Sequence, residues 1–160
     1  MESAWMLLSA YLLGSVPTGY LLGSLSGVDI RHAGSGNIGA TNVVRIVGWK
    51  TGLITLLADA GKGFIPVFFS VKLGFGLRVS ALTALAAFIG HLYPVFLKFK
   101  GGKGVATALG VFAGLAPLAT AVLILVFACV ATVSRLISLA SLTAATFAPV
   151  VLWLFSYPQP

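Results

Sequence analysis

Long apolar runs alternate with short polar stretches along the chain, and the polar stretches gather most of the lysine and arginine. A helix needs about 20 apolar residues to cross the hydrocarbon layer, and backbone facing lipid must satisfy its own hydrogen bonds, so the runs predict transmembrane helices and the charged stretches predict loops. Spans fall near Ala4–Ser26, Thr51–Val71, Val79–Phe96 and Leu136–Phe155, with a longer run from Val105 to about Val133. That run, at roughly 30 residues, exceeds one span. Gly114, Ala116 and Pro117 offer a turn inside it, which predicts two short helices. The expected fold is all-α: a polytopic integral membrane helix bundle of about six spans. Residues 1–160 form a single transmembrane domain in this reading, without an internal repeat.

Composition strengthens the picture. Hydrophobic residues make up 59% of the 160 residues and charged residues only 8%, with a mean hydropathy of +1.07. A soluble domain of this size carries about a quarter charged residues, so the surface here must face lipid. The start, Met1-Glu2-Ser3, lacks a basic segment and the first apolar run is long, so the first helix is expected to stay in the mature protein. Cys129 lies in an apolar run and, as the single cysteine, is expected to be a small buried hydrophobe.

Basic residues then set the orientation, because cytoplasmic loops hold the excess of Lys and Arg. The loop at about 27–50 holds Arg31, Arg45 and Lys50, and the loop at about 98–104 holds Lys98, Lys100 and Lys103, against Lys72 and Arg78 in the turn between them. Both basic loops are therefore expected to face the cytoplasm, with the N-terminus outside and, after six spans, the end Tyr157-Pro158-Gln159-Pro160 outside as well.

The first loop, Arg31-His32-Ala33-Gly34-Ser35-Gly36-Asn37-Ile38-Gly39-Ala40-Thr41-Asn42-Val43-Val44-Arg45, is built like an anion cradle. Its glycines let backbone approach a ligand, N–H groups from Ser35 through Asn42 can converge on oxygens, and Ser35, Thr41, Asn42 and Arg45 add side-chain donors. Glycine and asparagine equally suit an ordinary flexible loop. The second loop, Lys98-Phe99-Lys100-Gly101-Gly102-Lys103-Gly104, is not a nucleotide-binding P-loop. Leu97 and Gly104 stand where that motif needs Gly and Ser or Thr, and no strand precedes it. Lys103, between glycines at the start of a helix, suits ligand contact, whereas Lys98 and Lys100 suit headgroup anchoring.

Charges inside spans mark functional sites unless they are paired. Asp59 and Lys62, three apart on one helix face, can neutralise each other. His91 suits a hydrogen bond to a neighbouring helix more than catalysis, and Ser138 and Ser141, beyond a cytoplasmic turn at Arg135, suit helix packing or ligand contact. No Ser-His-Asp set, metal-ligand cluster, nucleotide fold signature or nucleic-acid patch is present, so neither a metal nor a cofactor nor nucleic acid is expected. A ligand with an anionic head and an acyl tail fits the rest.

The runs Gly14-Ser15-Val16-Pro17-Thr18-Gly19, Gly34 through Asn42 with Arg45, Asp59 to Gly63, and Gly90-His91 through Gly101-Gly102-Lys103-Gly104-Val105-Ala106-Thr107 closely resemble the bacterial acyl-phosphate:glycerol-3-phosphate acyltransferase family, over nearly the whole chain. The resemblance implies a multi-pass protein of the bacterial inner membrane with its active site facing the cytoplasm. Its implied reaction moves a fatty acyl group from acyl phosphate to glycerol 3-phosphate, giving lysophosphatidate and phosphate, with an upstream enzyme forming the donor. It assigns the Ser35 to Asn42 loop to a phosphate-holding pocket and Arg45, Lys103 and Ser141 to the glycerol phosphate, and on it Ser35, Arg45 and Lys103 are the expected catalytic residues. Substrate binding falls to Gly36, Asn37, Gly39, Ala40, Thr41, Asn42, His91, Gly101, Gly102, Ser138 and Ser141. It also implies a seventh span and a short tail with a His, Asn and Arg motif, which this sequence stops before. With two phosphorylated substrates, positioning and charge stabilisation could supply most of the rate. The rival reading from another class is an anion channel or transporter, which would need a polar path or a repeat of broken helices.

Overall fold

The computed structural model describes residues 2–156; the C-terminal run Tyr157 to Pro160 lies outside the described residues. Those residues form eight α-helices, and no strand occurs among them. They are α1 (Glu2–Gly14), α2 (Thr18–Leu25), α3 (Ala40–Ile46), α4 (Trp49–Lys72), α5 (Leu77–Leu92), α6 (Val105–Leu115), α7 (Pro117–Ser134) and α8 (Ile137–Ser156), with 3₁₀ turns at Ile30–His32 and Val95–Leu97. Among the described residues five stretches are long and apolar enough to cross a membrane: Ala4–Leu25, Trp49–Lys72, Leu77–Leu97, Pro117–Ser134 and Ile137–Phe155.

Three expectations need correction. The first span is not one helix, since the backbone breaks at Ser15-Val16-Pro17 between α1 and α2. Pro17 has no N–H to give and drives Val16 away from helical geometry. The turn inside 105–133 is where Gly114, Ala116 and Pro117 placed it, but the helices are unequal. The 11 residues of α6 reach only about 16 Å, short of the hydrocarbon thickness, while α7 has 18 and starts with Pro117, whose missing N–H costs nothing there. Cys129 is exposed rather than buried, because α7 turns a different face, that of Ala119 and Leu123, toward its neighbour α8.

The helices sort into two compact units, residues 1–114 and 115–160. In the first, α1 packs on α5 and α4 packs on α6 through glycines that bring backbones together. A Cβ on Gly90 would strike the Tyr11 carbonyl, and one on Gly110 would strike the Ala60 carbonyl. Small residues at such crossings are how helices associate when lipid removes the hydrophobic drive. The second unit is the α7–α8 pair, closed over Ala116, Ala119, Leu123, Ala148 and Val151.

Candidate active site

The loop between α2 and α3 is organised by one side chain. Asn42, buried at 3% exposure, donates from its amide nitrogen to the carbonyls of Ala33 at 3.0 Å and Asn37 at 2.9 Å, and its amide oxygen accepts the Ser35 N–H at 3.0 Å. Asn42 therefore shapes the cradle from within, its amide committed to the loop. Gly34 and Gly36 hold positive φ of 60° and 70°, conformations that favour glycine. Asn37 closes a further tight turn by accepting the Gly39 N–H at 2.8 Å. The loop is thus a fixed turn, not a slack connection.

What it presents outward is polar and uncommitted. Ser35, Gly36, Thr41 and Arg45 are exposed, and Asn37, Gly39 and Ala40 are half-buried. Asn42 and Val43 both bond back to the Gly39 carbonyl, so among the described residues the N–H groups of Ala40 and Thr41 have no partner. Arg45 forms no ion pair among the described residues, unlike Arg31, whose guanidinium sits 2.6 Å from Asp29 and 4.4 Å from the centre of the Tyr20 ring. The hydrogen bond from Arg31 is the main reason the Asp29 carboxyl is held down to about 2.

The second basic loop follows α5 through the 3₁₀ turn at Val95–Leu97. Lys98 and Phe99 both take left-handed backbone, with φ of 53° and 63°, and the chain then runs as Gly101-Gly102-Lys103-Gly104 into α6, which begins at Val105. Gly101 and Gly102 donate to the Leu92 and His91 carbonyls at 3.1 and 3.2 Å. Lys103 is exposed and forms no ion pair among the described residues. His91 is buried at 3% exposure, with its Nε2 edge against the Cα of Gly102. The expected bond from His91 to a neighbouring helix is not made among the described residues, where Nδ1 has no hydrogen-bond partner.

Beneath these loops lies a polar cluster in the helices. Asp59 and Lys62 pair at 2.8 Å. The Thr18 hydroxyl donates to the same Asp59 oxygen, Lys62 donates to the Val16 carbonyl at 2.7 Å, and His91 Nδ1 stands 3.8 Å from Asp59. The ion pair was legible in the sequence; Thr18 and the Val16 carbonyl were not. Their signal was a Gly-Ser-x-Pro-Thr-Gly run in mid-span, where a break frees a carbonyl that needs a donor. In the second unit, Ser138 is exposed on α8 and Ser141 donates to its carbonyl at 3.0 Å.

Comparison with known proteins decides the family. The sequence profile of the glycerol-3-phosphate acyltransferase family matches residues 4–159. The chain belongs to the glycerol-3-phosphate acyltransferase family. Within it, a glycerol-3-phosphate acyltransferase of Trichlorobacter lovleyi is 56% identical over 144 residues, covering 90% of this chain and 74% of the relative. One from Aquifex aeolicus is 46% identical over 160 residues, covering 99% and 83%. Among solved structures, PlsY (YgiH), an integral membrane glycerol 3-phosphate acyltransferase, matches in its glycerol 3-phosphate form at a TM-score of 0.94 and 45% identity, covering 99% of this chain and 80% of that one. Its lysophosphatidic acid form matches at 0.92 and 44%, covering 99% and 79%. The family assignment and the all-helical membrane fold inferred from sequence are thus both correct. This acyltransferase is an integral membrane protein, and its membership sets aside the channel reading.

Proposed function

We propose that this chain transfers a fatty acyl group from acyl phosphate to the hydroxyl of glycerol 3-phosphate, on the cytoplasmic side of the bacterial inner membrane. The PlsY structures in glycerol 3-phosphate and lysophosphatidic acid forms supply the acceptor and the product. The observation that carries the reading here is the preformed cradle: a loop locked by Asn42, with the N–H groups of Ala40 and Thr41 open beside exposed Ser35 and Arg45. Backbone donors and a guanidinium are the groups that hold a phosphate.

In this reading Arg45 and Lys103 grip the phosphates, and Ser35 with the turn Gly36, Asn37, Gly39, Ala40 and Thr41 supplies short-range donors. Gly101 and Gly102 let the second loop come close, and the family resemblance adds the hydroxyls of Ser138 and Ser141 on α8 as substrate-binding groups. The hydroxyl oxygen of glycerol 3-phosphate attacks the acyl carbonyl, the carbonyl-to-phosphate oxygen bond breaks, and phosphate leaves. Fixed positive charge and aligned N–H groups stabilise both the carbonyl oxygen and the leaving phosphate. The hydroxyl proton passes to the departing phosphate, itself a base, so the protein need supply none. His91 is closed in beneath Gly102, consistent with that route. A His91→Ala variant that lost turnover while keeping its fold and its affinity for both substrates would overturn it.

Orientation rests on the basic loops at about 27–50 and 98–104, whose excess of Lys and Arg supports a cytoplasmic face for the cradle. An enzyme that forms acyl phosphate must supply the donor there. The test is phosphate release from an acyl phosphate by the purified, detergent-solubilised chain, with and without glycerol 3-phosphate. Release that depends on glycerol 3-phosphate and is lost in Arg45→Ala supports the reading. Release indifferent to both contradicts it.

A further inference from the structure

We propose that the buried Thr18, Asp59, Lys62 and His91 cluster is a positioning device that fixes both phosphate-holding loops from one point in the core; the proposal rests on those two loops being the anion site. The four side chains come from three spans. Asp59 and Lys62 belong to α4, His91 to the end of α5, and Thr18 opens α2 just after the break in the first span.

One route runs from the ion pair to the first loop. Lys62 donates to the Val16 carbonyl at 2.7 Å and Asp59 accepts from Thr18, so the break itself and the first residue of α2 are both tied to α4 and the start of α2 is held in place. One residue beyond Thr18, Gly19 presses on the Ile38 carbonyl, with a side-chain methyl of Val43 3.1 Å from where a Cβ would stand. Ile38 lies between Asn37 and Gly39 in the cradle and is 4% exposed. A shift at the start of α2 therefore moves the cradle's floor directly.

The other route runs to the second loop. His91 Nδ1 faces the same Asp59 oxygen at 3.8 Å. Its Nε2 edge packs on Gly102, its carbonyl accepts the Gly102 N–H at 3.2 Å, and Lys103 follows. Asp59 is thus the point where the supports of Ser35 and of Lys103 meet.

Stability alone does not account for the cluster. Burying a charge pair among helices is costly, and well-packed apolar replacements are often as stable or more so. His91 Nδ1 and the Thr107 hydroxyl, both buried in this unit without a hydrogen-bond partner among the described residues, add to the cost. Such a cost concentrated under a site, with contacts leading to both of its halves, marks placement of the loops as its return.

The experiment measures glycerol 3-phosphate and inorganic phosphate affinity, KM and kcat, with thermal unfolding as the control, for the purified wild type and for Thr18→Val, Thr18→Ser and the double variant Asp59→Leu with Lys62→Met. Small displacements of a binding group cost up to about 10²-fold. Thr18→Val is expected to weaken glycerol 3-phosphate by roughly 10- to 100-fold in KM, with Thr18→Ser restoring it. The double variant, which leaves no orphaned charge, should fold and show the same loss, and adding Thr18→Val to it should change little more. A folded Thr18→Val or double variant with wild-type affinity and KM overturns the proposal, whatever its melting temperature. A wild-type chain that binds neither phosphate nor glycerol 3-phosphate instead overturns the functional reading and this inference with it.

Discussion

The two units of this protein are both built from apolar helices, yet only the first ties its helices together with polar side chains among the described residues. In the second unit the hydroxyls of Thr120, Ser134, Thr143 and Thr146 bond back to carbonyls of their own helices, and the core is Ala, Leu and Val. In the first unit Thr55 and Thr83 do the same, but other polar side chains reach across: Thr18 to Asp59, Lys62 to Val16, Tyr11 to the Tyr93 carbonyl at 2.9 Å. Hydropathy ranks the units the other way round, with 2.3 and 1.8 for the spans of the second against 1.3 to 1.6 in the first. The less hydrophobic spans are also the more enclosed, 39% of each buried against 17%. A hydroxyl satisfied within its own helix needs no neighbour and sets no geometry, whereas a bond between helices fixes one arrangement, and fixed arrangement is what positioned catalysis requires.

Substitutions can break this contrast. Asp59→Leu leaves the Lys62 ammonium buried without its carboxylate and should destabilise the protein by about 3–5 kcal/mol, while Thr120→Val in the second unit should cost about 1 kcal/mol; thermal unfolding in detergent compares them. Arg45→Ala should raise KM for glycerol 3-phosphate on the order of 10- to 100-fold, the worth of a charged hydrogen bond, with an unchanged melting temperature. Arg135→Ala, in the second unit, should stay within about twofold. Ser141→Ala sharpens the comparison further. A several-fold rise in KM, about what a neutral hydrogen bond supplies, would give the second unit a share of the substrate, and no change would confine it to lipid contact.

The smallest effect should come from Asp29. Its carboxyl is lowered from 3.8 to about 2 in the folded chain, so its contribution is fully present above the ordinary carboxylate range and fades as pH falls from about 4 toward 2. Asp29→Asn should therefore leave the activity profile between about pH 5 and 8 unmoved. An acid limb in that range that shifts in the variant would show Asp29 coupled to the site.

The spans were legible because lipid imposes one rule, length of apolar run, on every helix. The Asp59–Lys62 pair was legible too, being local in sequence. The break in the first span was not, since Pro17 sits within an otherwise continuous apolar run and its compensation comes from another helix. Asn42 read as a ligand donor because an asparagine in a glycine-rich loop carries no sign of which way its amide faces; only the fold shows it bonded to Ala33 and Asn37. Cys129 read as buried because composition tells how apolar α7 is, not which face meets α8.

The donor that completes the break in the first span lies 46 residues downstream of Val16. In the growing chain the first span therefore precedes its donor, and the charges of α4 follow, needing the partners that Thr18 and Val16 provide. The first two spans should consequently mature as a hairpin, with α2 becoming protease-resistant only in chains extended through Lys72, so that the order in which the ribosome delivers the helices is itself part of how the cradle comes to be shaped.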